Sequence, residues 1–181
     1  FKDALYAQFA RVGHAVSTPK RIEILDLLGQ AERTVAELAG LTVTPVKNTS
    51  AHLRALRQAG LVETRKDGPH VFYRLADDRV HQFLRELQGV AHARLADVER
   101  VTQLYLDGRD ELEPVSVREL ERRLREGDVT LIDVRPREEY EAGHIPGALS
   151  LPVDQLKRGR TAPPKSREIV AYCRGRYCVY A

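Results

Sequence analysis

The sequence has only two cysteines in 181 residues and lacks methionine and tryptophan. The two cysteines, Cys173 and Cys178, are too few and too close together for the disulfide framework of a small secreted domain. No stretch approaches the roughly 18 apolar residues that a membrane-spanning helix needs, and Phe1 does not begin a signal peptide. We therefore expect a cytoplasmic protein. Because even an initiator methionine is missing, we also expect that the chain has been trimmed or has lost residues.

The composition is that of a folded, soluble protein, since 43% of the residues are apolar and 30% are charged. A chain of 181 residues is expected to form two domains of ordinary size. The net charge of +3 says little by itself, but the segment from Thr44 to Arg74 has six basic and two acidic residues, a net charge of +4. Such a segment is more often a solvated surface. It indicates a polyanionic partner only where its geometry also fits.

Helical periodicity and capping signals predict four helices in the first half of the chain. Two of the four begin at a Thr-Pro pair, which supplies an N-cap followed by proline in the first turn. The predicted elements are an N-terminal helix with Leu5, Phe9, Val12 and Val16 on one face, a second helix from Thr18-Pro19 to Gly29, a third opened by the capping box Thr34-Val35-Ala36-Glu37 and closed by Gly40 in a left-handed conformation, and a fourth from Thr44-Pro45 to Gly60.

The fourth helix is predicted to have an apolar face and a basic, polar face. The residues expected to face the core are Val46, Thr49, Leu53 and Leu56. The opposite face carries Lys47, Asn48, Ala51, Arg54 and Gln58. Base edges in the DNA major groove are contacted by hydrogen-bonding side chains near a helix N-terminus, where Lys47 and Asn48 lie, while Arg54 and Arg57 can reach phosphates.

A β-hairpin is predicted after the fourth helix. Its strands are Leu61–Arg65 and His70–Leu75, and the Asp67-Gly68 pair marks its tip. Two short helices followed by a basic hairpin are typical of a winged helix-turn-helix. The predicted DNA-binding residues are Lys47, Asn48, Ser50, Ala51, Arg54, Arg65 and Lys66.

Residues 1–106 resemble the ArsR/SmtB family of winged-helix repressors, through PKRIEILDLL, NTSAHLRALRQAGLVE and the hairpin ending in FYRL. The resemblance implies a homodimer that binds operator DNA. The last helix fits a dimer, because its apolar stripe spans about seven turns and exceeds what one small domain covers. The alternative to a dimer interface is a stripe that packs only within the monomer. The alternative to DNA binding is a winged helix that binds only protein. The stripe consists of Val80, Phe83, Leu84, Leu87, Ala91, Leu95, Val98, Val101 and Tyr105.

Many members of this family sense metal ions, but this sequence does not carry their ligands. Residues 1–172 contain no cysteine, which removes the thiolate sites of the arsenic-sensing relatives. His81 and His92 have the ten-residue gap found in zinc-sensing relatives, but in the wrong register. The family's four ligand places fall at Asp77, Arg79, Val90 and Ala93, which cannot form a four-coordinate zinc site. We therefore expect no metal and no cofactor, and His81 and His92 are interpreted as surface or interface residues.

The second half is predicted to be an α/β domain at residues 115–181, after a linker at residues 107–114. Strands that alternate with helices imply a parallel sheet with its functional loops beyond the carboxyl ends of the strands. The predicted elements are a helix from the capping box Ser116-Val117-Arg118-Glu119 to Gly127, a strand at Val129–Val134, a helix at Arg137–Ala142, a short strand at Ala148–Leu151 and a strand at Ile169–Tyr172 that ends on Cys173.

The stretches LIDVRPREEYEAGHIPGALSLP and IVAYCRGRYCV resemble a rhodanese-like sulfurtransferase domain. The resemblance implies that Cys173 is the nucleophile that carries a persulfide. It also implies that the loop Arg174, Gly175, Arg176, Tyr177 and Cys178 turns its N–H groups inward. Independently of the family, such a loop stabilises an anion and lowers the pKa of a thiol, and its arginines suit thiosulfate or polysulfide. Asp133 and Arg135 are expected to brace this loop, and His144 to be structural.

Three alternatives concern the cysteine loop. Cys173 could be a buried, inert cysteine. Cys178 could attack a persulfide on Cys173 to form a bridge, or it could simply be a small residue at the last loop position. A cysteine-based phosphatase or arsenate reductase needs an arginine six residues after the nucleophile, and that position here is Val179.

Residues 113–181 are also too few for a rhodanese-like domain of about 100 residues, so we expect the natural protein to continue beyond Ala181.

Together these patterns predict a homodimeric transcriptional regulator, with repression the expected mode, whose rhodanese-like domain accepts sulfane sulfur on Cys173. Persulfidation or bridging would then change DNA affinity, which makes the protein a sulfur or redox sensor. The alternative function is a thiosulfate sulfurtransferase that the winged helix localises or dimerises.

Overall fold

The computed structural model describes residues 1–106, 115–159 and 167–174. The chain divides into two compact units, the first over Phe1–Arg94 and the second beginning at Leu95. The predicted linker at residues 107–114 lies outside the described residues, so the domain limits of 1–106 and 115–181 stay a prediction. In the described ranges, no helix combines the length and the apolar character needed to cross a membrane.

The first unit is mainly helical with a small antiparallel sheet. Its elements are α1 (Lys2–Ala15), α2 (Pro19–Leu28), β1 (Arg33–Thr34), α3 (Val35–Leu41), α4 (Val46–Gln58), β2 (Val62–Asp67), β3 (His70–Leu75) and α5 (Asp78–Arg94). Its core is formed by side chains from α2 to α5, chiefly Ile24, Leu25, Leu38, Leu53, Leu56 and Leu84. Helices α3 and α4 form the predicted helix-turn-helix, and the hairpin β2–β3 follows it.

The hairpin is confirmed, with Asp67 paired to His70 across a tip that contains Gly68 at φ +55°. A positive φ at this place in a two-residue turn explains the glycine. The sheet also has a third strand, β1, which pairs antiparallel with β3. The sequence did not predict β1, because a strand of only two residues, Arg33 and Thr34, shows no alternation of apolar and polar side chains.

The capping box at the start of α3 is present. The Thr34 hydroxyl accepts a hydrogen bond from the Glu37 backbone N–H at 3.3 Å, and the Glu37 carboxylate accepts one from the Thr34 N–H at 2.6 Å. Although burial by itself raises the pKa of Glu37, the hydrogen bonds from Thr34 lower it overall. The box therefore fixes where α3 begins.

The prediction that Gly40 closes α3 is wrong, because the helix continues to Leu41. The N–H of Val43 bonds to the carbonyl of Gly40, and the N–H of Thr44 bonds to the carbonyl of Ala39. These are the two bonds of a Schellman motif, which places the residue after the C-cap in a left-handed conformation. Here that residue is Val43, at φ +49°. A β-branched residue is strained in this conformation.

Replacing Val43 with glycine is expected to stabilise the first unit by about 0.5–1 kcal/mol, because removing the Cβ relieves more strain than glycine costs in chain entropy. The urea midpoint of the full chain measures this effect. The same motif ends α4, where Gly60 takes the equivalent place at φ +74° and an added Cβ would meet no atom within 4 Å. Gly60→Ala is the matched control and should destabilise the unit. An unchanged midpoint for Val43→Gly would contradict the prediction.

The fourth helix begins later than predicted. Its N-cap is Pro45, not Thr44, and its first residue is Val46. The Thr44 hydroxyl donates to the carbonyl of Thr42 at 3.1 Å, so it does not cap the helix. Three of the four residues predicted to face the core are fully buried, namely Thr49, Leu53 and Leu56. Val46 is the exception, since 52% of it is exposed.

The single long helix predicted after the hairpin is two helices. Helix α5 ends at Arg94, and α6 (Ala96–Leu106) begins after a break at Leu95. The start of the apolar stripe, Val80 and Leu84, is buried in the core of the first unit. Further along the stripe, Leu87 and Val98 are partly buried, whereas Leu95 and Val101 are exposed. Several large apolar side chains on α1 are exposed as well. The exposed residues on these helices and at the break are Leu5, Tyr6, Phe9, Val90, Leu95, Val101 and Leu104.

The second unit contains a parallel sheet in the order β5-β4-β6, which confirms the predicted parallel arrangement. After α6, its elements are α7 (Val117–Glu126), β4 (Val129–Asp133), α8 (Arg137–Ala142), β5 (Leu149–Ser150), α9 (Val153–Lys157) and β6 (Glu168–Tyr172). Helix α8 has the predicted bounds, whereas α9 was not predicted. The register places Asp133 beside Ser150 and Tyr172, so these residues lie together at the carboxyl end of the sheet.

Helix α7 begins and ends at the predicted residues, but its capping box is only half formed. The Ser116 hydroxyl accepts a hydrogen bond from the Glu119 N–H at 3.2 Å, and Gly127 ends the helix at φ +73°. The Glu119 carboxylate instead accepts hydrogen bonds from Arg122 and Arg123, which lower its pKa to about 2. The two arginines one turn later compete successfully for the carboxylate.

Candidate functional site

The exposed face of α4 carries the side chains predicted to contact DNA. Lys47, Asn48, Ala51 and Arg54 are exposed, and Ser50 is half-buried. These residues occupy the first three turns of a 13-residue helix whose other face is anchored by Leu53 and Leu56. The surface is therefore polar, basic and held on a rigid element. Its role in binding DNA stays a prediction.

Charge pairing distinguishes the cations of α4 from those of the hairpin. Arg65 donates to Glu32 at 2.8 Å and to Asp67 at 3.2 Å, and its guanidinium lies 5.1 Å from the centre of the Phe72 ring. Arg74 donates to Glu63 at 3.2 Å. By contrast, some cations form no ion pair with any described residue, namely Lys47, Arg54, Arg57 and Lys66. Of the cations on α4 and the hairpin, those without an ion pair therefore lie mostly on α4, and Arg65 is less available to an anion than the sequence suggested.

In the second unit, a buried ion pair follows the central strand. Asp133 is fully buried, and its carboxylate accepts hydrogen bonds from the Arg135 guanidinium at 2.7–3.1 Å and from the Arg135 backbone N–H at 3.0 Å. Arg135 also donates to the carbonyl of Gly143 at 2.7 Å. Burial by itself raises the pKa of Asp133, but the hydrogen bonds from Arg135 and Tyr172 outweigh it and lower the pKa. The expected role of this pair in bracing the loop after Cys173 stays a prediction, because residues 175–178 lie outside the described residues.

Tyr172, at the end of β6, connects the strand to this ion pair. Its hydroxyl shares a hydrogen bond with Asp133 and accepts one from the N–H of Ile145 at 3.1 Å. Burial, together with the bond to Asp133, raises the pKa of Tyr172, so the phenol stays protonated and can donate to the carboxylate. The Arg135 guanidinium lies 5.6 Å from the centre of the tyrosine ring. Tyr172 thereby ties the turn after α8 to the strand that precedes Cys173.

A second buried ion pair joins α8 to the residue after Cys173. Glu139 is fully buried, and it accepts hydrogen bonds from Arg174 Nη2 at 2.6 Å and from Arg174 Nε at 3.0 Å. From the sequence, Arg174 was expected to offer its positive charge to a sulfur anion, but the structure pairs that charge with Glu139. Glu139 was not predicted from the sequence. It lies among Glu138 and Glu141 in a short polar helix, and no pattern there separates a buried glutamate from an exposed one.

His144, which was expected to be structural, packs on Tyr140. The two rings are stacked with centroids 3.8 Å apart, and His144 Nδ1 is 2.9 Å from the Tyr140 carbonyl. The Tyr140 hydroxyl donates to the carbonyl of Ala148 at 2.8 Å. These contacts hold the turn between α8 and β5 against α8.

Cys173 follows β6 directly, at the carboxyl end of the parallel sheet, and is half-buried. Its sulfur is engaged in a disulfide bond. The other cysteine of the sequence, Cys178, lies outside the described residues, as do Gly175, Arg176 and Tyr177. The predicted convergence of backbone N–H groups around Cys173 therefore stays a prediction.

Groups of possible metal ligands can be described only for part of the chain. Within residues 1–106, 115–159 and 167–174, no group of three or more His, Cys, Asp or Glu side chains is placed to hold a metal ion. His81 and His92, the pair with the ten-residue gap, are both partly buried on α5. Their interpretation as surface or interface residues stays a prediction.

Comparison with known families agrees with this architecture. Residues 18–64 match the bacterial regulatory proteins of the arsR family, and residues 116–181 match the rhodanese-like domain. The HTH-type transcriptional regulator Rv0324 of Mycobacterium tuberculosis is 44% identical over 180 residues, which is 99% of this chain and 79% of that protein. The HTH-type transcriptional repressor SmtB of the same species is 38% identical over 79 residues, which is 44% of this chain and 57% of that protein.

A solved structure resembles the first unit. The homodimeric winged helix-turn-helix DNA-binding domain (fragment 1–100) of Mb0332 from Mycobacterium bovis, a possible ArsR-family transcriptional regulator, is 42% identical with a TM-score of 0.50. The likeness covers 53% of this chain and 89% of that chain. The first unit has an arsR-family match, the second has a rhodanese-like match, and one relative is similar over nearly the whole length of this chain. This chain therefore belongs to the ArsR family of HTH-type transcriptional regulators and carries a C-terminal rhodanese-like domain.

Proposed function

We propose that this regulator binds operator DNA as a homodimer, with α4 in the major groove and the β2–β3 hairpin beside it, and that it represses transcription in the cytoplasm. The observation that carries the proposal is the exposed face of α4, where Lys47, Asn48 and Arg54 offer hydrogen bonds and unpaired positive charge. Exposed apolar side chains on α1 and α5, including Phe9 and Val90, supply a surface that a second copy can cover. The homodimeric M. bovis domain supports the same assembly.

Lys47→Ala and Asn48→Ala are each expected to weaken binding to the operator by about 1–3 kcal/mol, roughly 5- to 150-fold, because each removes a group placed to reach a base edge. Fluorescence anisotropy with a labelled operator and an unrelated duplex measures both specific and non-specific affinity. The loss should be larger for the operator than for the unrelated duplex. Equal losses on both duplexes would mean that the two residues contact only phosphates.

Arg54→Ala and Arg65→Ala form a matched pair of variants that tests contacts to DNA phosphates. Arg54 forms no ion pair with any described residue, so its removal should reduce the dependence of log K on log salt by about one. Arg65 already donates to Glu32 and Asp67, so its removal should change that slope less. A larger change for Arg65 than for Arg54 would show that the hairpin exchanges its carboxylate partners for DNA phosphates.

We propose further that Cys173 accepts sulfane sulfur and that the modified protein has a different affinity for DNA. The position of Cys173 at the carboxyl end of β6, half-buried beside a braced turn, supports this role. The disulfide at Cys173 must first be reduced by a thiol. The Cys173 thiolate then attacks the outer sulfur of thiosulfate, the S–S bond of thiosulfate breaks, sulfite leaves with the bonding electron pair, and Cys173 keeps a persulfide.

Titration of thiosulfate or polysulfide into a binding assay with the reduced full-length protein tests this role. The expected result is a change in operator affinity of about 5-fold or more, since typical coupling energies are about 1–3 kcal/mol. Cys173→Ser should abolish the change and leave the affinity without donor intact. Mass spectrometry of Cys173 in the same samples shows whether sulfur was loaded. An unchanged binding curve with loaded Cys173 would refute the sensor.

The second candidate function is a thiosulfate sulfurtransferase, and the same position of Cys173 at the strand end favours it. Steady-state transfer of sulfur from thiosulfate to cyanide or a thiol, lost in Cys173→Ser, would support this candidate. Slow loading in a single turnover would support the sensor.

A further inference from the structure

Val46 is an apolar residue exposed at the start of the helix that carries the candidate DNA contacts. It is the first residue of α4, directly after the N-cap Pro45, and 52% of it is exposed. The buried face of the helix is formed by Thr49, Leu53 and Leu56, which follow it in the chain. Val46 therefore precedes the buried part of the helix, and about half of its surface is open to solvent.

The neighbours of Val46 are the exposed polar residues of the same helix end. Lys47 and Asn48 follow it directly, and Ala51 lies in the next turn. In a helix-turn-helix protein, residues at the N-terminal end of the second helix meet base edges in the major groove. Val46 shares that end of α4, so a duplex bound through Lys47 and Asn48 brings Val46 within reach of the same bases.

An aliphatic side chain cannot pair with the hydrogen-bonding groups of a base edge. The C5-methyl group of thymine is the apolar group that the bases present in the major groove, and aliphatic side chains contact it in protein–DNA complexes. Guanine, adenine and cytosine present donors and acceptors there without a methyl group, so valine would desolvate their polar groups and gain no apolar contact in return.

We propose that Val46 contacts the C5-methyl group of a thymine in each operator half-site and thereby selects thymine at that position. This inference rests on the proposed DNA-binding function and adds a specificity-determining residue to it. Its ligand is double-stranded DNA, and the recognised group is a single methyl.

Replacement of thymine by deoxyuridine tests the proposal, because it removes the methyl group and leaves every hydrogen-bonding group of the base in place. Operator duplexes are first selected from a random pool with the full-length protein, and each thymine of the half-site is then replaced in turn, symmetrically in both half-sites. We expect one thymine position to lose about fourfold in affinity per half-site, the effect of exposing one apolar carbon. In Val46→Ala, the same replacement should have a much smaller effect.

Two controls keep the result specific. Val46→Ala should fold, because the site is half-exposed and alanine is the best helix former, and circular dichroism checks this. Val117→Ala is the matched variant, since Val117 is also an exposed valine at the first position of a helix, in the second unit. Val117→Ala should keep the full difference between thymine and deoxyuridine.

The proposal is overturned if the wild type binds the thymine and deoxyuridine operators equally, or if Val46→Ala keeps the difference. A difference that disappears only in Ala51→Gly would place the methyl group against Ala51 and would also overturn it. Failure to select any duplex is a separate result. It would contradict the proposed DNA-binding function itself, and this inference with it.

Discussion

Asp133→Asn is expected to lower the free energy of unfolding of the second unit by about 3–5 kcal/mol, the usual cost of removing one partner of a buried ion pair. Asparagine keeps the shape of the side chain but removes its charge. The Arg135 guanidinium, whose side chain is 9% exposed, would then stay buried without its counter-charge. Hydrogen exchange of the backbone amides in β4 and α8, followed by mass spectrometry on the full-length protein, measures the loss.

An exposed ion pair of the same unit is the control. Arg137 donates to Glu141 at 2.8 Å on the surface of α8, and Glu141→Gln should cost at most about 1 kcal/mol. The double variant Asp133→Asn with Arg135→Met should recover part of the stability, because it no longer buries an unpaired charge. The prediction is wrong if Asp133→Asn is no more destabilising than Glu141→Gln.

Acid should remove the stabilisation that the ion pair between Asp133 and Arg135 gives to the second unit. The pKa of Asp133 is lower in the folded protein than its ordinary value, because the hydrogen bonds from Arg135 and Tyr172 outweigh the effect of burial. Its ionised form therefore stabilises the fold above the unfolded pKa of about 3.9, and this contribution is lost as the pH falls through the folded pKa. The stability difference between the wild type and Asp133→Asn should be complete at neutral pH and shrink below about pH 4.

Glu139→Gln is expected to have the second largest effect, a loss of about 2–4 kcal/mol in the same unit. Glu139 is fully buried, and its carboxylate holds Arg174, which is 15% exposed and can regain some hydration when the charge is lost. Because Arg174 directly follows Cys173, amide exchange should rise at the end of β6 as well as in α8. A variant that destabilises α8 without affecting Tyr172 to Arg174 would contradict this coupling.

Glu138→Gln is the matched control for Glu139→Gln. Glu138 is the neighbouring glutamate on α8 and is exposed, so its replacement should leave exchange at β6 unchanged. Arg174→Met added to Glu139→Gln should restore part of the stability, since it removes the buried charge that Glu139→Gln leaves behind.

The sequence predicted the elements whose signals are local. The capping box at Thr34, the hairpin tip at Gly68 and the helix Arg137–Ala142 all lie where they were expected, because a cap or a turn depends on a few consecutive residues. Errors came where two local signals competed. Glycine is common at helix ends, so Gly40 was expected to close α3. The left-handed residue of the Schellman motif is instead Val43, three residues later.

Hydrophobic periodicity also did not predict which apolar side chains are exposed at the ends of helices. The 100° spacing placed Val46 with Leu53 and Leu56, but periodicity does not say where the core stops along the helix axis. Only the packing of the other helices determines that limit. The same reason explains the apolar stripe, which faces the core at Val80 and Leu84 and is exposed at Leu95 and Val101.

The sequence by itself determined the two-part organisation, the order of most helices and strands and the position of Cys173 at a strand end, because periodicity, caps and motifs act over short stretches of chain. Only the tertiary structure decided which charges are neutralised. Arg65 pairs with Glu32, 33 positions away, and Arg174 pairs with Glu139, 35 positions away. Long charged side chains find such partners only after folding brings distant segments together, so the free and the paired cations of a candidate site cannot be separated before the fold is known.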